Sequence, residues 1–94
     1  MAETLKVLGL AYKARKLILG EEVLEQIKKV KLLFIASDIS EKSRQRCLQK
    51  CHYYNIDYID AYDTEELSKA LGKDNVKVIG IIDAGFTKTI LNKV

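Results

Sequence analysis

Two nearly uninterrupted apolar runs limit the folds that are open to this chain. One is KLLFIAS at residues 31–37, and the other is VKVIGII at residues 76–82. Neither run shows the strict alternation of apolar and polar side chains that a strand with one solvated face would have. Each run therefore predicts a short strand covered on both faces, which requires further layers of structure above and below the sheet.

The rest of the sequence alternates between helical and strand-like apolar spacing. In DTEELSKALG, residues 63–72, Asp63 and Glu66 can form a capping box and Gly72 can end the helix in the left-handed conformation. Besides this capped helix, the predicted helices are residues 3–16, a second from residue 21 onward, 41–54 and 87–94, and the further strands are 17–19 and 58–61. This order predicts an α/β fold, a three-layer α/β/α sandwich with a central mixed sheet of about four strands.

Apolar side chains at helical spacing predict which face of each helix is buried. They are Val7, Leu8, Ala11 and Tyr12 in the first helix, Val23, Leu24, Ile27 and Val30 in the second, Cys47, Leu48, Cys51 and Tyr54 in the third, and Phe86, Ile90, Leu91 and Val94 in the last. The two cysteines are four residues apart on one helical stripe, which is a poor position for a disulfide. We expect them to be reduced core residues.

Length and composition favour a single domain over residues 1–94. The chain is 48% hydrophobic and has no proline, so it can bury a modest core but not a second one. No apolar stretch approaches the roughly 20 residues that a spanning helix needs, and the N-terminal residues lack the long apolar run that is typical of a secretory signal. We therefore expect a cytoplasmic protein without membrane contact, and a monomer, since no surface feature of the sequence indicates an oligomer.

The charge of the chain is unevenly distributed. Its net value is only +3, but residues 1–31 carry seven Lys or Arg against four Asp or Glu, whereas the two later thirds are balanced. A second basic run free of acids contains Lys42, Arg44, Arg46 and Lys50. In a nearly neutral chain the net charge alone attracts anions weakly, so a local cluster of cations is the better indication of an anion-binding surface.

The sequence offers little that supports catalysis or a cofactor. The strand-to-helix turns LILGEE and IDAGFT carry one glycine each, which is too few for a nucleotide-binding loop. Cys47, Cys51 and His52 could ligate zinc, but His52 points about 100° away from Cys51 on a helix. The only histidine has no identifiable acid partner, and neither cysteine has a reason for a lowered pKa. We expect a non-enzyme without cofactor or metal.

The segment YKARKLILGEEVLEQIKK, residues 12–29, is the best candidate for a binding site. A strand ends at Gly20 and a helix begins, so free amides face outward close in sequence to Lys13, Arg15 and Lys16. These groups can hold phosphate, while the carboxylate of Glu22 can accept hydrogen bonds from a guanine edge. Alternatively, the two glutamates only stabilise the helix start, by about 0.3–1 kcal/mol each.

Four stretches of this sequence resemble one protein family over nearly the whole chain. They are LGLAYKARKLILGEEVLEQIKK, LLFIASDIS, NIDYIDAYDTEELSKALGK and VIGIIDAGFTKTIL. Their order and spacing are similar to those of the kink-turn RNA-binding family of ribosomal protein L-seven-Ae, and particularly of its small bacterial YlxQ-type members. The resemblance implies the three-layer fold, no catalysis, and recognition of kinked RNA by the glycine-led start of the second helix and a nearby loop.

The resemblance also shows where this sequence departs from the kink-turn binders. Gly20 matches, but Glu21, Glu22 and Val23 follow it in place of the usual polar pair, and the loop LGKDNVKV is polar where the family has small apolar residues. The predicted RNA-contacting residues are Lys13, Arg15, Lys16, Gly20, Glu21, Glu22, Lys28, Lys73 and Lys77. The predicted partners are structured RNA, ribosomal or otherwise kinked, and ribosomal or translation proteins. The alternative is a protein-interaction module on such an assembly, without base readout.

Overall fold

The computed structural model describes residues 2–92 of the chain. Five helices, one 3₁₀ turn and four strands follow one another within that range. In chain order they are α1 (Ala2–Lys13), β1 (Leu17–Leu19), α2 (Glu21–Glu25), a 3₁₀ turn (Ile27–Lys29), β2 (Leu32–Ile35), α3 (Glu41–Tyr54), β3 (Asp57–Ile59), α4 (Thr64–Leu71), β4 (Val78–Ile81) and α5 (Ala84–Leu91). None of these helices is long and apolar enough to cross a membrane.

The four strands form one mixed sheet in the order β1-β4-β2-β3. β2 and β3 are parallel, whereas β4 runs antiparallel to both of its neighbours, β1 and β2. Every residue of β2 and β4 is buried. This confirms that the two apolar runs of the sequence are strands covered on both faces.

The helices pack on both sides of this sheet, which confirms the three-layer sandwich. On one side α1, α4 and α5 cover the sheet, with Leu8, Leu67 and Ile90 in a core that includes Phe34 and Ile79. On the other side α2, the 3₁₀ turn and α3 form a second core. Its buried members are Ile18, Val23, Ile27, Val30, Leu33, Ile35, Cys47, Cys51 and Val78.

The first helix ends at Lys13, three residues before its predicted end at residue 16. Arg15 takes the left-handed conformation, with φ 61°. Its N–H donates to the Tyr12 carbonyl at 3.0 Å, and the N–H of Lys16 donates to the Ala11 carbonyl at 2.9 Å. This pair of bonds is a Schellman ending, which apolar spacing alone does not reveal because it usually requires glycine.

The second helix is shorter than the sequence predicted. α2 lasts only five residues, Gln26 leaves the helical region with φ −112° and ψ 29°, and a 3₁₀ turn follows. The predicted buried stripe is nevertheless confirmed at three of its positions, because Val23, Ile27 and Val30 are all buried. After this break, Val23 and Val30 both pack against Gly80 of the sheet. A Cβ at Gly80 would lie 3.0 Å from a methyl group of Val23 and 2.9 Å from one of Val30.

The later elements follow the local capping chemistry of the sequence. The capping box of α4 is present, with Glu66 N–H donating to Asp63 at 2.9 Å and Asp63 N–H donating to Glu66 at 3.1 Å. Gly72 ends that helix with φ 68°, as predicted.

Two boundaries in the second half of the chain differ from the prediction. β3 lies at residues 57–59 rather than 58–61. α5 begins at Ala84 rather than near Thr87, because the side chain of Asp83 accepts the N–H of Phe86 at 2.9 Å and caps the helix earlier. Within the predicted stripe of that helix Ile90 is buried and Leu91 is exposed, while Val94 lies outside the described residues.

Candidate nucleic-acid interface

Gly20 forms the junction between β1 and α2. Its backbone has φ 66° and ψ −143°, a combination that side-chain-bearing residues rarely adopt. Its N–H donates to the carbonyl of Val78 at 3.1 Å, which fixes the junction to the start of β4. A Cβ at this position would meet no atom within 4 Å, so the outer side of the glycine is open to a ligand.

Gly20 and Glu21 border a cleft of about 380 Å³ that lies between α2, the first half of α3 and the loop before β4. Apolar side chains line part of this cleft, and polar ones surround them. The apolar residues are Leu24, Ile39, Cys47 and Val78, and the polar ones are Glu21, Ser40, Ser43, Arg46, Asn75 and Lys77. The cleft thus offers cations, hydroxyl groups and a carboxylate around an apolar surface.

The two cations of the cleft are held differently. The Nη2 of Arg46 lies 3.7 Å from the Oε2 of Glu21, and both side chains are exposed, so this ion pair adds little to stability. The guanidinium of Arg46 therefore keeps donors for another acceptor. α2 is too short to contribute much of a helix dipole, so anion binding in the cleft depends mainly on these side chains.

The ammonium of Lys77 is positioned by a short hydrogen-bond chain. It donates to the hydroxyl of Thr64 at 3.2 Å, and that hydroxyl donates to Asp38 at 2.7 Å. The backbone N–H of Thr64 donates to the same oxygen at 2.9 Å. The hydrogen bonds from Thr64 lower the pKa of Asp38 below its ordinary value, so its carboxylate is ionised at neutral pH.

The two glutamates after Gly20 have different surroundings. Glu21 lines the cleft, whereas Glu22 is exposed and accepts a hydrogen bond from the side chain of Gln26 at 2.6 Å. The carboxylate that faces a ligand in the cleft is therefore that of Glu21. The prediction from the sequence assigned base reading to Glu22, since both glutamates lie in the first turn of α2 and spacing alone does not show which one lines the cleft.

The structure separates Lys13, Arg15 and Lys16 from Gly20, contrary to the expectation that these cations border the glycine. The carbonyl of Lys16 accepts from the N–H of Ile82, just past the end of β4, whereas Gly20 contacts the start of β4. The reason is that β1 is extended, and four residues of strand span about 13 Å at about 3.3 Å per residue. A role for the three cations in RNA binding stays a prediction.

The remaining predicted residues are divided between the cleft and other surfaces. Lys77 lines the cleft together with Gly20 and Glu21. Lys28 is exposed in the 3₁₀ turn, and the Nζ of Lys73 lies 6.0 Å from the ring centroid of Tyr12. The prediction did not include Arg46, although it lies in the acid-free basic run of residues 42–50, and nothing in the sequence singled out Ser40 or Ser43. Asn75 belongs to the polar loop LGKDNVKV that the sequence analysis noted.

Cys47 and Cys51 are core residues, as predicted, with exposed fractions of 2% and 3%. Burial raises the pKa of both thiols, that of Cys51 to about 11, so both are protonated at neutral pH. Both are free thiols. Among residues 2–92, no group of three or more His, Cys, Asp or Glu side chains is arranged to hold a metal ion.

We expect Cys47→Ser to lower the free energy of unfolding by about 1–3 kcal/mol, because it buries a hydroxyl without an assured partner. Because Cys47 also lines the cleft, the matched variant Cys51→Ser, at a buried residue outside the cleft, is the one whose folded fraction should keep its RNA affinity. Urea unfolding and an RNA titration of the same sample test both statements. Stoichiometric zinc in protein purified without added metal would contradict the assignment of Cys47 to the core.

Comparison with known proteins establishes the family. Residues 2–91 match the model of the ribosomal protein L7Ae/L30e/S12e/Gadd45 family. The chain belongs to this family. Among curated relatives it is 36% identical over 89 residues to the RNA-binding protein YlxQ of Enterococcus faecium, covering 92% of this chain and 85% of that protein. It is 30% identical over 93 residues to the RNA-binding protein YlxQ of Bacillus subtilis strain 168, covering 96% and 93%.

Solved structures of other proteins share this family fold. A protein of unknown function from Bacillus halodurans superposes with a TM-score of 0.91 at 35% identity, covering 98% of this chain and 96% of the other. A 15.5 kD RNA-binding protein of Giardia lamblia superposes with a TM-score of 0.81 at 20% identity, covering 99% and 85%. At that lower identity, the second match supports the fold alone.

Proposed function

We propose that this member of the family is a non-enzymatic RNA-binding protein that holds structured RNA in the cleft beside Gly20. The observation that carries the proposal is the convergence of Arg46, Lys77 and Glu21 on one open cleft next to a glycine. Relatives at 30% and 36% identity that bear the name RNA-binding protein support the same conclusion. We further propose that the protein acts in the cytoplasm as a monomer, on ribosomal or other kinked RNA and beside ribosomal or translation proteins.

The cations of the cleft suit the RNA backbone. The guanidinium of Arg46 has a planar set of donors that matches a phosphate in two-pronged geometry, whereas the ammonium of Lys77, which donates to Thr64 outside the cleft lining, acts as a point charge at the edge of the cleft. Gly20 has no side chain, so a phosphate or a sugar can approach the backbone closely. Contacts of this kind fix the position of an RNA but do not read its sequence.

The carboxylate of Glu21 supplies a base-reading group. An ionised carboxylate only accepts hydrogen bonds, so it pairs with the N–H donors of guanine and not with phosphate. The apolar side chains of the cleft, such as Leu24 and Ile39, can pack against the flat face of that base. A regular A-form duplex hides most of these base edges, whereas a kinked helix presents unpaired bases. We therefore propose that the preferred ligand is a kinked RNA with accessible guanines.

The test compares Glu21→Gln with Glu22→Gln on a kinked RNA helix and on a regular duplex of the same length. Both substitutions remove one negative charge from neighbouring residues, so they change the electrostatic attraction of RNA similarly. We expect only Glu21→Gln to lower the ratio of kinked to duplex affinity, by roughly tenfold, because a hydrogen bond to a charged group contributes about 1.5–3 kcal/mol. Glu22→Gln should tighten binding to both RNAs slightly and equally.

Two outcomes of this titration would count against the proposal. If both variants tighten both RNAs by the same factor, the cleft is a general phosphate site without base reading. If the wild-type protein binds neither RNA, the alternative of a protein-interaction module is favoured. Circular dichroism of each variant establishes that it is folded before its affinity is compared.

A further inference from the structure

A group of six exposed cations lies at the end of the sheet opposite to the cleft. We call this group the basic rim, and its members are Lys13, Arg15, Lys16, Lys28, Lys29 and Lys31. The backbone fixes the position of the rim. The carbonyl of Lys16 accepts from Ile82 at 3.0 Å, and the N–H of Lys31 donates to Ile81 at 2.7 Å. Lys16 and Lys31 therefore flank the end of β4, one on each side.

The cations of the basic rim are not neutralised by the protein. The ion pairs described within residues 2–92 join Arg44 to Asp60 and Arg46 to Glu21, both outside the rim. No rim side chain makes a hydrogen bond or an ion pair within that part of the chain. Three acids lie next to residues of this end of the sheet: Asp83, which follows Ile82 and caps α5, Asp57, which lies opposite Leu32, and Glu25 at the end of α2. The six cations outnumber these three acids.

The rim and the cleft are separate surfaces connected by one short strand. Gly20 bonds to the start of β4 and Lys16 to the residue after its end. The intervening β1 is an edge strand of the sheet, with β4 as its only strand neighbour in residues 2–92. One polyanion that extends from Gly20 at the cleft to Lys16 at the rim, about 13 Å along the extended chain, can therefore contact both surfaces.

We propose that the basic rim is a second RNA-contact surface, which binds the phosphates of the RNA that flanks the segment held in the cleft. This inference rests on the proposed function, because it requires an RNA in the cleft to be extended. Unpaired cations without a base-reading carboxylate among them bind RNA in a sequence-independent way. The rim thus supplies general affinity, and the cleft supplies the preference for kinked RNA.

The experiment uses the full chain and two triple variants of equal charge. The first, Lys13→Ala/Arg15→Ala/Lys16→Ala, removes half of the rim. The second, Lys50→Ala/Lys69→Ala/Lys88→Ala, removes three exposed cations from α3, α4 and α5. The dissociation constant is measured by fluorescence anisotropy at several salt concentrations, on a kinked RNA with extended stems and on a regular duplex of equal length.

We expect the rim variant to weaken binding to both RNAs by the same factor. The slope of log affinity against log salt concentration should flatten by about 2–3, because each lost phosphate contact removes about 0.9. The control variant should change the slope much less, although its net charge is the same. Since Arg15 has an unusual backbone conformation, the double variant Lys28→Gln/Lys31→Gln is the second probe, and it should flatten the slope in the same way.

The outcomes separate this inference from the proposed function. Equal salt slopes for the rim and control variants, or an unchanged slope for Lys28→Gln/Lys31→Gln, would overturn the role of the rim. A wild-type protein that binds both RNAs equally would contradict the proposed preference of the cleft for kinked RNA. The change in salt slope caused by the rim variant could still be measured in that case. Rim variants that keep full RNA affinity but lose binding to phosphatidylserine vesicles would assign the rim to a membrane and overturn the inference.

Discussion

Gly20→Val is expected to weaken binding to kinked RNA by roughly tenfold or more and to lower the free energy of unfolding by about 1–3 kcal/mol. The φ of 66° and ψ of −143° at this position are unfavourable for any side chain and most of all for a β-branched one. The protein would therefore rotate the junction, and Glu21 would move with it away from Arg46. An RNA titration and urea unfolding measure the two effects.

The matched control for this variant is Gly72→Val. Gly72 also has a positive φ, 68°, and open space where its Cβ would be, but it ends α4 and does not line the cleft. Valine there should cost stability while RNA affinity of the folded protein stays close to that of the wild type. If Gly72→Val reduced affinity as much as Gly20→Val does, strain rather than location would explain the loss. Unchanged affinity of Gly20→Val for kinked RNA would remove the glycine from the interface.

The second large effect is expected for Gly80→Val in the middle of β4. A Cβ at this buried position would lie 2.9 Å and 3.0 Å from methyl groups of Val30 and Val23, so even the first added carbon forces both valines to move. Excess volume of this kind costs about 1–3 kcal/mol, and occasionally more. Because the valines belong to the segment after Gly20, we also expect the preference for kinked RNA to fall. Urea unfolding and the two-RNA titration measure these changes.

A compensating substitution at Val30 tests whether the contact between residues 80 and 30 causes the expected loss of stability. Gly80→Ala and Val30→Ala should each destabilise the protein, the first by crowding and the second by leaving a cavity. The double variant should be more stable than the sum of these losses predicts, by about 0.5–3 kcal/mol, since the two residues are in contact. Strict additivity, or a Gly80→Val protein as stable as the wild type, would show that α2 is not packed against the sheet as described.

Much of the fold could be predicted because its determinants are local. The apolar runs that become β2 and β4 indicate burial on both faces without any knowledge of their neighbours. The capping box at Asp63 and the glycine at residue 72 define α4 by chemistry within ten residues. The strand order was not predictable, because the pairing of β1 with β4 joins residues that are 60 to 64 positions apart in sequence. The packing of Val23 and Val30 against Gly80 likewise joins residues that are far apart in sequence.

The candidate site was only partly predictable for a geometric reason. Residues four apart are neighbours on a helix, about 6 Å from each other, but lie about 13 Å apart along a strand. Lys16 and Gly20 are only four residues apart in the sequence, yet β1 places them at opposite ends of the sheet. Arg46 reaches the cleft from α3, so no spacing near Gly20 could indicate it.

The burial of both native thiols has a practical consequence for distance measurements. Cys47 and Cys51 are almost inaccessible, and burial raises the pKa of each, so maleimide dyes should react with them slowly at neutral pH. A single cysteine introduced at an exposed position such as Lys50 can therefore be labelled in the otherwise unaltered protein. Energy transfer between that dye and one on either end of an RNA would then report the direction in which the RNA crosses the sheet.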